Sequence, residues 1–167
     1  MFFNLSEKKM ITPAQNFLKK NKISFKEYEY DCSVTHDFGH HAAASLGIEE
    51  SRVFKTILLV HEKTFVTAIT PVNGMISMKN AARIMGLKAL QIATPQDAMR
   101  VTGFVIGGVS PFGQKRKTLT LLCESAMQFD EILVSGGRRG LSVGVSPADL
   151  VKVLDAKVGD FLEHKEP

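Results

Sequence analysis

Val53-Phe54-Lys55-Thr56-Ile57-Leu58-Leu59-Val60, then His61-Glu62-Lys63, then Thr64-Phe65-Val66-Thr67-Ala68-Ile69-Thr70 is the stretch that decides the fold. Both flanks are apolar and β-branched, and a short polar segment parts them. That predicts two antiparallel core strands joined by a turn. Strand following strand with no helix between them argues against a doubly wound parallel sheet. The pattern returns downstream, where Phe104-Val105-Ile106, Thr118 to Leu122, Ile132 to Ser135 and Leu141 to Val145 read as short strands. Upstream, Ile23 to Tyr30 alternates apolar and polar side chains as a half-buried strand does.

Helices punctuate these strands. Thr12-Pro13 sets an N-cap hydroxyl and an N1 proline before a helix that turns Phe17 and Leu18 inward and Lys19, Lys20 and Lys22 outward. Asp37 is placed to cap a helix from Phe38 to Leu46, which Gly47 ends. Ser77 caps Met78 to Met85, Thr94-Pro95 opens a helix to about Arg100, and Ser146-Pro147 opens one to Leu154. The sum is a single α+β domain with a mixed, largely antiparallel sheet and short helices.

The chain has 167 residues, 44% hydrophobic and 23% charged. That composition excludes a disordered chain, which could not bury enough apolar surface to offset its conformational entropy. Scattered Gly and Pro and the lack of a heptad exclude a collagen-like or coiled-coil rod. No apolar run nears the roughly 20 residues that cross a bilayer. Cys32 and Cys123 form no CxxC and no disulfide framework. The start, MFFNLSEKKM, lacks a basic segment before its apolar patch and a small-residue cleavage site, so a cytoplasmic protein with free thiols is expected. Residues 1–9 read as a flexible extension, 10–162 as the domain and 163–167 as a tail. Net charge is only +4, so charge matters where it clusters.

Three segments concentrate chemistry. Lys55 interrupts an apolar strand, where desolvating an ammonium costs several kcal/mol. It either snorkels to the sheet edge or waits in a cleft for an anion. Gly103-Phe104-Val105-Ile106-Gly107-Gly108-Val109-Ser110-Pro111-Phe112-Gly113-Gln114-Lys115 crowds four glycines at a strand end and runs into Arg116-Lys117. Glycine lets backbone N–H groups approach a ligand closely, yet the spacing is not that of a GxxxxGK[ST] phosphate loop. Ser135-Gly136-Gly137-Arg138-Arg139-Gly140 is a second basic glycine turn. With Lys55, the two loops could ring one site. His36 and His40 are four apart, but no third ligand stands at metal-site spacing and HExxH is absent, so no metal and no cofactor are expected. GxSxG is also missing, and neither cysteine has a histidine positioned to activate it.

In this order the segments resemble the YbaK family of freestanding aminoacyl-tRNA deacylases, related to the editing domain inserted in bacterial prolyl-tRNA synthetase. The matching residues are Thr12-Pro13-Ala14, Lys22-Ile23-Ser24-Phe25, Val53-Phe54-Lys55-Thr56, Thr70-Pro71-Val72, the Gly107 to Lys115 loop and Ser135 to Leu141. The likeness spans about residues 10–162 and is greatest to the branch that hydrolyses Cys-tRNA(Pro). It implies an α+β domain around a curved sheet and a deacylase that trans-edits mischarged Cys-tRNA(Pro), with assistance from the substrate's own thiol. Lys55, Gly107 and Tyr30 would be catalytic. Phe38, Thr56, Gly108, Ser110 and Pro111 would bind substrate, and Lys115, Arg116, Lys117, Arg138 and Arg139 the tRNA. Prolyl-tRNA synthetase is a candidate partner, and no membrane is involved. Some relatives carry an acidic residue after the Gly-Leu of the arginine turn, where this chain has Ser142. Competing readings are a deacylase of another misacylated tRNA such as Ala-tRNA(Pro), and a non-catalytic RNA- or nucleotide-binding module.

Overall fold

The computed structural model describes residues 11–164. The expected 1–9 extension, Met10 and the last residues of the expected tail, 165–167, lie outside the described residues. Helix α1 (Pro13–Lys20) opens with Thr12 in extended backbone. The Thr12 hydroxyl accepts from Gln15 N at 3.1 Å, and the Gln15 carboxamide accepts from Thr12 N at 2.8 Å. This reciprocal pair satisfies two of the donors a helix start leaves open. Ala14, Gln15 and Leu18 are buried, and the Phe17 ring stacks on Phe112 with centroids 5.9 Å apart.

Strand β1 (Lys26–Glu29) follows, then α2 (Phe38–Leu46), β2 (Phe54–His61) and β3 (Thr64–Pro71). Next come α3 (Met78–Met85), β4 (Gln91–Ile92), α4 (Pro95–Thr102), β5 (Leu119–Cys123), β6 (Ile132–Arg138), β7 (Leu141–Val145), α5 (Pro147–Leu154) and β8 (Lys157–Gly159). The expected mixed, largely antiparallel sheet is present, parted into two. A five-stranded sheet runs β4-β2-β3-β5-β8, and an antiparallel sheet runs β1-β7-β6. In the larger one β2 pairs antiparallel with β3 and β4, while β5 lies parallel to β3 and β8. A bridge between Val53 and Leu133 ties the two sheets together at the start of β2. Leu59, Val66, Ala68, Ile69, Leu121, Leu122, Ile132 and Val143 are fully buried between the layers. Cys123 is buried as expected, and Cys32 is partly exposed.

Four expectations are corrected. Phe104 to Ile106 is not a strand: Phe104 is buried, Val105 is 53% exposed, and the chain turns at once, with Gly108 N donating to Val105 O at 2.9 Å. β1 covers only Lys26 to Glu29, because Ile23 N is spent on Leu18 O behind α1. Tyr30 therefore lies just past the strand, though its N–H still donates to Gly140 O at 3.0 Å. The β2–β3 turn is Glu62-Lys63, since His61 already pairs with Thr64. Asp37 occupies the N-cap of α2 but lies at φ +52 and makes no side-chain cap bond.

The loop from Gly103 to Gln114 is pinched at its neck, where Lys115 N and Arg116 N donate to Thr102 O and Val101 O. Gln114 bolts it to the sheet, bonding Ser110 O and the hydroxyls of Thr67 and Thr118. Gly113, at φ +71, lies so close to α1 that a Cβ would overlap the Pro13 carbonyl.

Gly113→Ala is therefore expected to lower the melting temperature more than Gly47→Ala. Both are left-handed, but Gly47 (φ +67) opens on empty space. The left-handed backbone alone costs roughly 1 kcal/mol or more, worth roughly 2–4 °C in a domain of this size. Thermal melts showing equal shifts would mean that the approach to Pro13 is loose.

Candidate functional site

A cavity of about 440 Å³ opens between β2, the start of α2, the Gly103–Gln114 loop and the β6–β7 hairpin. β2 explains its position. Phe54 and Leu58 are buried, but the three residues between them, Lys55, Thr56 and Ile57, are only partly so. The sheet is uncovered at mid-strand, and the cavity fills the gap. Lys55 neither snorkels to an ion pair nor meets an acceptor among the described residues. Burial alone lowers its pKa below the ordinary lysine value. The Thr56 hydroxyl oxygen is buried without a partner.

The structure brings Lys55, Gly107, Tyr30, Phe38 and Thr56 together in the cavity wall. Gly107, at φ +90, is pressed against Phe38: a Cβ there would stand 2.8 Å from the ring. The Gly107 N–H has no acceptor among the described residues. Tyr30 is hydrogen-bonded to Ser142 and its ring tilts over His41 at 5.9 Å; burial raises its pKa, so it stays a neutral phenol at physiological pH.

The other expected site residues lie outside the lining. Gly108 abuts the backbone of Arg138, where a Cβ would come within 2.8 Å. Ser110 is fully buried, its hydroxyl accepting from Phe112 N at 3.2 Å, and Pro111 is buried beside it. Lys115, Arg116 and Lys117 are exposed. Arg138 pairs with Glu29 at 3.0 Å, leaving its Nε unpartnered in a second, polar cleft that also holds Tyr30, Asp31 and Cys32. Arg139 donates from Nε to Ile106 O at 2.8 Å and lies over the Phe38 ring, 4.8 Å from its centroid.

Sequence reasoning gave no site role to most of the remaining lining residues, the polar Asp37, His40 and Ser135 and the loop residue Ile106 among them. Ser135 pairs in register with Ser142, and a signal for both existed in two serines set among apolar strand residues. His40 is held by Glu50 at 2.5 Å, whereas His36 is exposed beside Asp37. Among the described residues no three His, Cys, Asp or Glu side chains cluster to hold a metal. Neither cysteine lines the cavity, and its two serines bond to Gly137 N and to Tyr30. Among the described residues no helix is long and apolar enough to cross a membrane.

The chain is similar to known proteins in sequence and in fold. The aminoacyl-tRNA editing domain model matches residues 35–153. A protein of Enterococcus faecalis, provisionally named Cys-tRNA(Pro)/Cys-tRNA(Cys) deacylase EbsC, is 35% identical over 153 residues, 91% of this chain and 92% of its own. The uncharacterized YwhH of Bacillus subtilis is 28% identical over 118 residues, 70% of this chain and 74% of its own. A crystal structure provisionally described as a trans-editing enzyme for prolyl-tRNA synthetase superposes with a TM-score of 0.81 at 26% identity, over 91% of this chain and 96% of that one.

The state of Lys55 yields a stability prediction. Because burial lowers its pKa, the unfolded chain holds this proton more tightly than the folded one. The resulting penalty is full at neutral pH and fades as pH rises through the folded pKa toward the ordinary value of 10.5. Lys55→Met should melt above wild type at pH 7, with the gap narrowing toward pH 10.5. A variant that melts lower at pH 7 would mean that the ammonium is favourably paired.

Proposed function

The chain belongs to the aminoacyl-tRNA editing domain family, and from that premise we propose that it is a cytoplasmic trans-editing deacylase that clears Cys-tRNA(Pro). One observation carries the reading. The cavity is lined by a half-buried lysine and by Gly107, whose N–H has no acceptor among the described residues, yet by no nucleophile paired with a base. Such a site suits a bond that is already activated, the ester between an amino acid and the terminal ribose.

In this reading the enzyme positions and stabilises. The Gly107 N–H donates to the carbonyl oxygen as it becomes an oxyanion. Lys55 meets the terminal phosphate or ribose, and Tyr30, Phe38 and Thr56 hold the aminoacyl group against β2. The substrate thiol is the nucleophile. Its sulfur bonds to the carbonyl carbon, the ester C–O bond breaks, and the thiol proton ends on the ribose hydroxyl. The four-membered thiolactone released is hydrolysed by water to free cysteine. The exposed run Lys115-Arg116-Lys117 and Arg138 grip the tRNA backbone, and prolyl-tRNA synthetase supplies the mischarged substrate.

Three measurements test this. Lys55→Ala should keep the fold and lose roughly 2–4 kcal/mol of transition-state stabilisation, about 30- to 1000-fold in rate; near-wild-type turnover refutes its role. Single-turnover cleavage of Cys-tRNA(Pro) should exceed that of Ser-tRNA(Pro) and Ala-tRNA(Pro) at least about tenfold, because a hydroxyl is the weaker nucleophile and a methyl none. That ratio should survive in Cys32→Ala and Cys123→Ser. A ratio near unity indicates attacking water, and loss in either mutant indicates a protein thiol. Charge reversal at Lys115, Arg116 and Lys117 should raise the Kd for tRNA and lower the salt slope by about one for each phosphate no longer neutralised; an unchanged slope places the tRNA elsewhere.

A further inference from the structure

The sequence points Arg139 at tRNA phosphates, but its guanidinium is already engaged with the cavity wall. Its Nε donates to the Ile106 carbonyl at 2.8 Å, and its guanidinium lies over the Phe38 ring, 4.8 Å from the centroid. The carbonyl it holds has a special place. Val105 to Gly108 is a β-turn closed by Gly108 N donating to Val105 O, with Gly107 at φ +90. Positive φ at that third position is the mark of a type II turn. Types I and II differ in the direction of the central peptide, which here joins Ile106 to Gly107. In a trans peptide the carbonyl and the N–H point to opposite sides. Fixing the Ile106 oxygen toward Arg139 therefore fixes the Gly107 N–H away from it. Gly107 lines the cavity, whereas Arg139, which holds the Ile106 oxygen, is not among its lining residues.

We propose that Arg139 is a positioning residue that locks the Ile106–Gly107 peptide so that the Gly107 N–H faces the substrate carbonyl. A charged donor on the carbonyl also polarises the N–H at the far end of the same amide, which strengthens it as an oxyanion donor. The Phe38 contact completes the clamp. Gly107 is backed against the Phe38 ring, and the Arg139 guanidinium lies over the same ring. The neighbour Arg138 has a different part, since its guanidinium turns to Glu29 and the second cleft. Both arginines line the second cleft, but only Arg139 bonds the Ile106 carbonyl, while Arg138 is ion-paired with Glu29. The proposal rests on the deacylase reading for its catalytic consequence, but the lock itself is a property of the free protein.

The test compares Arg139→Ala and Arg139→Lys with wild type. Lysine keeps the charge but loses the planar Nε donor and the flat stacking surface. The NOE between Ile106 Hα and the Gly107 N–H, strong in a type II turn and weak in a type I turn, reads the peptide direction without substrate. It should weaken at least about twofold in both variants while melting temperatures stay close to wild type. Arg83→Ala, a charge removed from α3, should leave it unchanged. With Cys-tRNA(Pro), kcat should fall at least about tenfold in both variants, with KM and the salt slope unaltered. An unchanged Ile106 Hα to Gly107 N–H NOE overturns the lock, whatever happens to activity. A raised KM with kcat intact, a salt slope lower by about one, and rescue by lysine would make Arg139 a phosphate contact instead. If wild type cleaves no aminoacyl-tRNA, the deacylase reading fails, while the NOE measurement still decides the lock.

Discussion

The cavity exists because two glycine-rich loops pack backbone against backbone, onto each other and onto the first turn of α1. Gly108 abuts the backbone of Arg138, Gly113 abuts the Pro13 carbonyl, and Gly137 lies against Thr12. The Thr12 hydroxyl joins the set, accepting from Gln15 N and donating to Gly136 O at 2.5 Å. One side chain thus caps a helix and fixes the hairpin that carries Ser135, Arg138, Arg139 and Ser142. No side chain fits between surfaces this close, so glycine is required there for space as well as for dihedral angle. The loops are held by the domain core rather than by solvent-exposed contacts. That gives the cavity wall the rigidity that oriented N–H donors need.

The same arrangement explains why a lysine is tolerated in the middle of β2. The strand is anchored on both sides of Lys55, by Phe54 and by Leu58-Leu59, all nearly inaccessible to solvent. Those burials are worth roughly 1.5–3 kcal/mol each. They offset the cost of a partly desolvated ammonium. The unpartnered Thr56 hydroxyl beside it is a second local penalty at the same point. Both penalties fall within the one stretch of strand that the cavity uncovers, the distribution expected when a fold gives up stability at a site of function.

Much of this was legible in the sequence because it rests on local rules. The Thr12-Pro13, Ser77, Thr94-Pro95 and Ser146-Pro147 starts all form side-chain caps. The β2–β3 hairpin follows from its apolar runs, and Lys55 stood out because an apolar strand excludes charge. What failed was set by distant partners. Phe104 to Ile106 has strand composition, but Phe104 is drawn into the core and the Gly107 turn breaks any ladder. Asp37 has capping chemistry, yet its backbone is twisted to φ +52 at the cavity mouth. β4 and β8 span only Gln91–Ile92 and Lys157–Gly159, too short for periodicity to register. Arg139 looked like any surface arginine, because its acceptor lies far back along the chain in another loop.

The charges around the cavity follow a division that its dielectric makes intelligible. Inside the wall Lys55 is the cation displaced from water, and Tyr30, Ser142 and Thr56 are neutral, whereas Asp37 and His40, which also line the cavity, have largely exposed side chains. A single charge acts more strongly in such a place than on the surface, since the interaction between unit charges grows as the effective dielectric falls. Outside, Lys115, Arg116 and Lys117 remain hydrated and screened, suited to long-range attraction of a polyanion but not to stabilising one oxyanion. Ser142 fits this division. A carboxylate at that buried position would place a negative charge beside the Tyr30 phenol and in the same wall as Lys55, neutralising the one interior cation. With serine there, Tyr30 keeps a neutral partner and the positive potential of Lys55 is left for whatever anion enters. On the proposed reading that anion is the substrate's own phosphate or developing oxyanion, which links the composition of the wall to the reaction it would serve.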